Sequence, residues 1–121
     1  STIEIIEFHH NNKIDAPSGT ALATAEKISR NIAEDLRDPT TDLTLEGARG
    51  AKAQGNIPIH SVRMEGMLAR QEVIFGTTGQ TLTIRQDSSD RSSFMPGVLM
   101  AIKGIPSLTG VNIGLETLLD V

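Results

Sequence analysis

Thr2-Ile-Glu-Ile-Ile-Glu-Phe-His-His-Asn-Asn-Lys-Ile-Asp-Ala-Pro-Ser-Gly-Thr20 decides how this chain folds. Its first residues read as a strand over 2–8, with Ile3 and Ile5 on one side and Glu4, Ile6 and Phe8 on the other. Apolar groups on both sides point to a central strand. After the polar cluster, Leu22, Ala25, Ile28, Ile32 and Leu36 recur at helical spacing and predict a helix over 18–36. Pro17 supplies a φ suited to a first helical turn, and Ser18 offers an oxygen to the free N–H groups that follow. Two imidazoles, a lysine and a carboxylate therefore sit on a strand-to-helix connection. Binding and catalytic groups are often carried on such a loop between rigid elements.

Working outward, residues 38–58 are rich in Gly, Thr, Ala and charge and read as a long loop. Strands are expected over 59–64, 71–76 and 80–86. The last two are joined by Thr77-Thr78-Gly79, a hairpin connection in which glycine can take a positive φ. Leu82 and Ile84 alternate with Thr81, Thr83 and Arg85, the pattern of a half-buried strand. A second helix is expected from Ser92 or Ser93 to about Lys103, with Phe94, Val98, Ala101, Ile102 and Ile105 as its stripe and Pro96 in its first turn. Leu115, Leu118 and Leu119 suggest a short helix in the tail, 111–121. The order β-α-β-β-β-α predicts an α+β fold, a mixed open β-sheet with helices packed on one face.

Composition narrows the functions. The 121 residues make one domain, 1–121. A net charge of −4 and a pI near 5.3 argue against a nucleic-acid partner. The absence of cysteine removes disulfides, zinc–thiolate sites and a thiol nucleophile. No apolar run approaches the ~20 residues of a membrane span. The opening Ser-Thr-Ile, without methionine and directly in a strand, is the pattern of a fragment or a processed product.

The polar cluster suits an anionic ligand that undergoes proton transfer. His9 and His10 are adjacent, so in extended backbone they face opposite ways. A histidine titrates near working pH, and Lys13 is a compact cation. Gly19 and Thr20 present free N–H groups at the positive end of a helix dipole, with hydroxyls from Ser18 and Thr20 beside them. Each group alone has a plainer reading as a solvated side chain or a simple cap; their adjacency favours a site. His9, His10 and the distant His60 lack the spacing of a metal centre, so no metal is assigned. Asp15 is expected to brace the loop or Lys13, and Arg49 and Lys52 to be solvated. Arg91 precedes a predicted helix, where a cation is unfavourable unless Asp87, Asp90 or a ligand anion pairs with it.

The run from Glu7 to Ala21 resembles the signature of the dihydrodipicolinate reductases (4-hydroxy-tetrahydrodipicolinate reductases), enzymes of the diaminopimelate route to lysine. The likeness extends through His60-Ser-Val-Arg63, Glu72-Val-Ile-Phe-Gly76, Leu82-Thr-Ile-Arg85 and Asp90-Arg-Ser-Ser-Phe94, most closely to plant-like and cyanobacterial or actinobacterial members. It implies the carboxy-terminal substrate-binding and tetramerisation domain, with a sheet like the carboxy-terminal domain of glyceraldehyde-3-phosphate dehydrogenase. It implies a homotetramer built through that sheet, the 38–58 loop reaching toward neighbouring subunits, and a cytoplasmic (or plastid-stroma) location. NADPH or NADH would be bound mainly by an amino-terminal Rossmann domain, whose Gly-x-Gly-x-x-Gly motif this chain lacks. On this chain's side the cofactor candidates are Arg91 and Phe94.

The same resemblance gives His9 as general acid/base and Lys13 as a proton donor and carboxylate contact. His10, Ser18 and the Gly19-Thr20 backbone become further contacts to a small dicarboxylate substrate. The family reaction adds hydride to a cyclic conjugated imine and then protonates the enamine. The chain alone is expected to fold without turning over. The runner-up is a non-catalytic oligomerisation domain. The aldehyde-dehydrogenase type, with a related sheet, requires a cysteine nucleophile that is absent here.

Overall fold

The computed structural model describes residues 1–88. The helix expected to Lys103, the tail helix, Arg91 and Phe94 all lie outside the described residues. Five strands, β1 (Thr2–His10), β2 (Ala51–Ala53), β3 (Ile57–Met64), β4 (Ala69–Thr77) and β5 (Gln80–Ser88), form one sheet in the order β2-β3-β1-β4-β5. β1 runs parallel to β3 and antiparallel to β4, and the remaining pairs are antiparallel. The first strand is therefore central, as its two apolar sides predict, and the sheet is mixed. The two-residue turn Thr78-Gly79 joins β4 to β5, with Gly79 at φ 82°.

One helix, α1 (Gly19–Ser29), packs on one face of the sheet. Beneath it Ile3, Ile5, Ile57, Ile59, Val73, Phe75 and Ile84 close the core with Ala21, Ala25 and Ile28. Each large apolar side chain buried there contributes roughly 1.5–3 kcal/mol. An exposed pair on the opposite face, such as Arg85–Asp87 at 2.8 Å, contributes about 0–1. The α1 face thus supplies most of the stability.

Several expectations need correction. The helix ends at Ser29 rather than at residue 36. Ser29 Oγ donates to the Glu26 carbonyl at 2.7 Å and Asn31 Nδ2 to the Lys27 carbonyl at 2.8 Å, so side chains occupy carbonyls that the next turn would need. Ile32 and Leu36 still pack on the core from an irregular segment, held where Leu36 N–H donates to the Gly55 carbonyl. Leu22 points outward, 47% exposed, and the buried stripe is Ala21, Thr24, Ala25 and Ile28.

The expected 38–58 loop is also shorter. It gives way to β2, a 3-10 turn (Gln54–Asn56) and the start of β3 at Ile57. Gly50 opens this segment at φ 74°, where a Cβ would lie 2.8 Å from the Ile59 carbonyl oxygen, so only glycine fits. Arg49 and Lys52, expected to be solvated, are paired. Arg49 reaches Glu4 at 2.7 Å and Asp38 at 3.1 Å, Lys52 reaches Asp38 at 2.5 Å, and His60 reaches Glu4 at 2.6 Å. Asp38 also accepts from Thr40 N–H at 3.0 Å. This network ties the 38–50 segment to the sheet face opposite α1.

Candidate functional site

β1 runs two residues beyond its expected end, so both histidines stand on a strand rather than on a loop. The alternation then decides their surroundings. His9 shares the buried face with Ile3, Ile5 and Glu7 and is 9% exposed, while His10 is exposed. A tight turn follows: Lys13 N–H donates to the His10 carbonyl at 3.1 Å and Asn12 N–H to His10 Nδ1 at 3.2 Å. This turn brings Lys13 back to the end of β1. His9, His10, Asn12 and Lys13 line a pocket of about 420 Å³ with Met67, Leu68, Ala69 and Ser88. Lys13 Nζ holds Asp15 Oδ1 at 3.0 Å, the bracing role expected of Asp15.

Ser18, Gly19 and Thr20 do not line this pocket. Ser18 is buried and caps α1 as its residue type predicts, its Oγ accepting from Ala21 N–H at 3.1 Å. The Gly19 and Thr20 N–H groups donate to no described acceptor, and the space beside Gly19 is open.

The sequence reading missed Glu7 and Arg63 as working residues. Glu7 is wholly buried, with Arg63 Nη1 at 2.5 Å from Oε1 and His9 Nδ1 at 2.8 Å from Oε2. Arg63 also donates to the Val62 carbonyl at 2.9 Å and the Asp15 carbonyl at 2.8 Å, strapping the 13–18 connection to β3. Gln71, opposite Glu7 on β4, donates to Thr24 Oγ1 at 3.0 Å, and Thr24 donates to the Thr20 carbonyl at 2.8 Å. A buried polar layer thus runs from β3 through β1 and β4 to the first turn of α1.

Electrostatics follow from this layer. Burial pushes the Glu7 carboxyl up, but Arg63, the Ser61 hydroxyl and His9 together hold it below 4.5. Burial pushes His9 below 6.5; Lys13 and Arg63 add to that, and the Glu7 charge opposes it. Glu4 is likewise lowered: burial raises it, and Arg49 and His60 outweigh that.

Both kinds of group destabilise the fold in acid. A carboxylate with a lowered folded value stabilises above 4.5 and loses that contribution as pH falls through the folded value. A buried neutral histidine stabilises above 6.5 and loses its contribution as pH falls through its own lowered value. Urea unfolding midpoints should therefore fall in two stages, first below pH 6.5 and then below 4.5. A flat profile from pH 7 to pH 4 would contradict the buried placement of His9. Among the described residues no group of three His, Asp or Glu side chains is placed to hold a metal ion, and no helix is long and apolar enough to cross a membrane.

Comparison with known proteins agrees with this fold. The 4-hydroxy-tetrahydrodipicolinate reductase of Corynebacterium urealyticum is 56% identical over 121 residues, covering 98% of this chain and 48% of that protein. The enzyme of the same name from Mycolicibacterium smegmatis is 54% identical over 123 residues, covering 99% of this chain and 49% of that protein. The chain therefore spans about half the length of these relatives. A solved structure, a dipicolinate-bound dihydrodipicolinate reductase from Paenisporosarcina sp. TG-14, superposes with a TM-score of 0.69 at 42% identity and covers 99% of this chain and 40% of that one. The family model described as dihydrodipicolinate reductase, C-terminus, matches residues 1–119, and the chain belongs to that family.

Proposed function

We propose that this chain is the substrate-binding and tetramerisation domain of a 4-hydroxy-tetrahydrodipicolinate reductase, an NAD(P)H-dependent oxidoreductase of lysine biosynthesis. The observation that carries this reading is the meeting of His9, His10 and Lys13 in the wall of one pocket. Its volume, about 420 Å³, suits a single ring with two carboxylates. In this reading NADPH or NADH is held mainly by an amino-terminal Rossmann domain outside this chain. The residues here bind, orient and protonate. His9 is the acid/base, and Lys13 pairs with a substrate carboxylate and supplies a proton. His10 and Ser18 assist, and the Gly19 and Thr20 N–H groups take an oxyanion at the helix end.

A homotetramer formed through the sheet belongs to the same reading. Ile6, Phe8 and Ile74, on the face opposite α1, are only half-buried in the single chain, which leaves apolar surface for a neighbour. A cytoplasmic location completes it.

Titration with pyridine-2,6-dicarboxylate, followed by amide chemical shifts, tests the carboxylate site. Gly19, Thr20 and Lys13 amides should move, binding should weaken with salt and with Lys13→Ala, and the chain alone should not reduce substrate with either nucleotide. If the Gly19 and Thr20 amides stay still while distant ones shift, Ser18-Gly19-Thr20 is only a helix cap.

A further inference from the structure

We propose that Glu7 is a positioning residue for His9: its buried carboxylate fixes the neutral imidazole as the Nδ1–H tautomer, so that Nε2 exchanges the proton with the ligand. The proposal deepens the reductase reading, and only its kinetic test depends on that reading.

The alternation of β1 places Glu7 and His9 two residues apart on one face, with Oε2 2.8 Å from Nδ1. A carboxylate oxygen and an unprotonated ring nitrogen repel each other at that separation, so the ring hydrogen is favoured on Nδ1. Arg63, 2.5 Å from the other oxygen, keeps the carboxyl ionised, which leaves the hydrogen on the ring. Oε2 and Nδ1 are both buried, and neither makes a hydrogen bond of good geometry among the described residues in the resting arrangement; at 2.8 Å each has the other as its polar neighbour. Nor can Glu7 swing away: Arg63 holds it, and Arg63 is itself held by the Val62 and Asp15 carbonyls. With Nδ1 buried beside Glu7, the ring nitrogen left for the pocket that His9 lines is Nε2.

The other charged groups facing His9 are cations, Lys13 from the turn and Arg63 from β3. β4 places Ala69 opposite it, and the buried face of α1 carries no charge. Both cations favour the neutral ring, and Glu7 is the anion that retains some of its basicity. In the reaction, protonated His9 gives the Nε2 proton to the reduced substrate and returns to the Nδ1–H form. Glu7 remains ionised throughout, so the proton count closes on His9 and solvent.

Imidazole ¹⁵N spectra of the 121-residue chain test the tautomer without any need for activity. Above its titration, wild-type His9 should show a protonated Nδ1 and an unprotonated Nε2; the reverse pattern overturns the proposal. In Glu7→Gln the carboxamide donates to Nδ1, so the tautomer should switch and the titration midpoint should fall by about one unit. Glu7→Asp, which keeps the charge, should restore much of the midpoint. An unchanged tautomer and midpoint in Glu7→Gln would also overturn it. In the reductase carrying this domain, Glu7→Gln should lower kcat roughly 10²-fold with KM within about 3-fold, since a wrong tautomer removes proton transfer and not binding. A switched tautomer with unchanged kcat would overturn Nε2 as the working atom of that reaction while leaving the tautomer assignment in place.

Discussion

Replacing His9 with glutamine in the reductase that carries this domain is expected to lower kcat by roughly 10²-fold or more, the usual loss when a proton-transfer group is removed. KM should change little, because His9 is nine-tenths buried and packed against Glu7, whereas the compact cation of the pocket is Lys13. Lys13→Ala should give the contrasting pattern, a raised KM with a smaller fall in kcat. Steady-state kinetics on both variants make the comparison. Wild-type kcat in His9→Gln would remove His9 from the chemistry.

The second large effect is on stability. Arg63→Met should destabilise the domain by about 3–5 kcal/mol, the cost of leaving a buried charge without its partner. Arg63 keeps some solvent contact, which favours the lower end. The wholly buried Glu7 would lose its closest ion pair, and the Asp15 carbonyl would lose its donor. Denaturant unfolding of the single and double variants checks this. Adding Glu7→Gln to Arg63→Met should recover part of the loss, since the unpaired charge is then gone. A loss below about 1 kcal/mol in Arg63→Met would mean that water replaces the guanidinium at little cost.

These two arginine and glutamate positions also show where the sequence was hard to read. A charged residue on a strand reads as solvent-facing, and nothing local marks Glu7 as more than the start of a motif. The signal was present in the parity of β1: Ile3, Ile5, Glu7 and His9 share one face, so a buried isoleucine pair carries the carboxylate and the imidazole inward with it. Arg63 lacked even that, because its partner lies 56 positions away in sequence. The four longer strands and the Thr78-Gly79 turn were legible from alternation and from glycine's access to positive φ. The start of α1 was legible from Ser18.

The end of α1 was not legible, because Ile32 and Leu36 keep helical spacing while packing from an irregular segment. β2 was not legible either: Ala51-Lys-Ala53 is too short to show a period, and what defines it is pairing with β3. Of the candidate site, the meeting of His9, His10 and Lys13 was readable as adjacency. The pocket wall from Met67 and Leu68 was not, since nothing local marks the β3–β4 connection as a neighbour of the histidines.

The central position of β1 has a bearing on motion. Its backbone is paired on both sides along most of its length, with His9 opposite Arg63 on one flank and Ala69 on the other. The peptide groups that carry Glu7 and His9 should then exchange their amide hydrogens only through the rarest, global openings, together with Ile3 and Ile5. The 38–50 segment, held mainly by side-chain ion pairs rather than by strand pairing, should open more easily. The strand that carries the acid/base residues thus belongs to the slowest cooperative unit of the described residues, and adaptation to a ligand falls to the parts of the pocket outside the paired strands, the Asn11–Lys13 turn and the Met67–Leu68 wall.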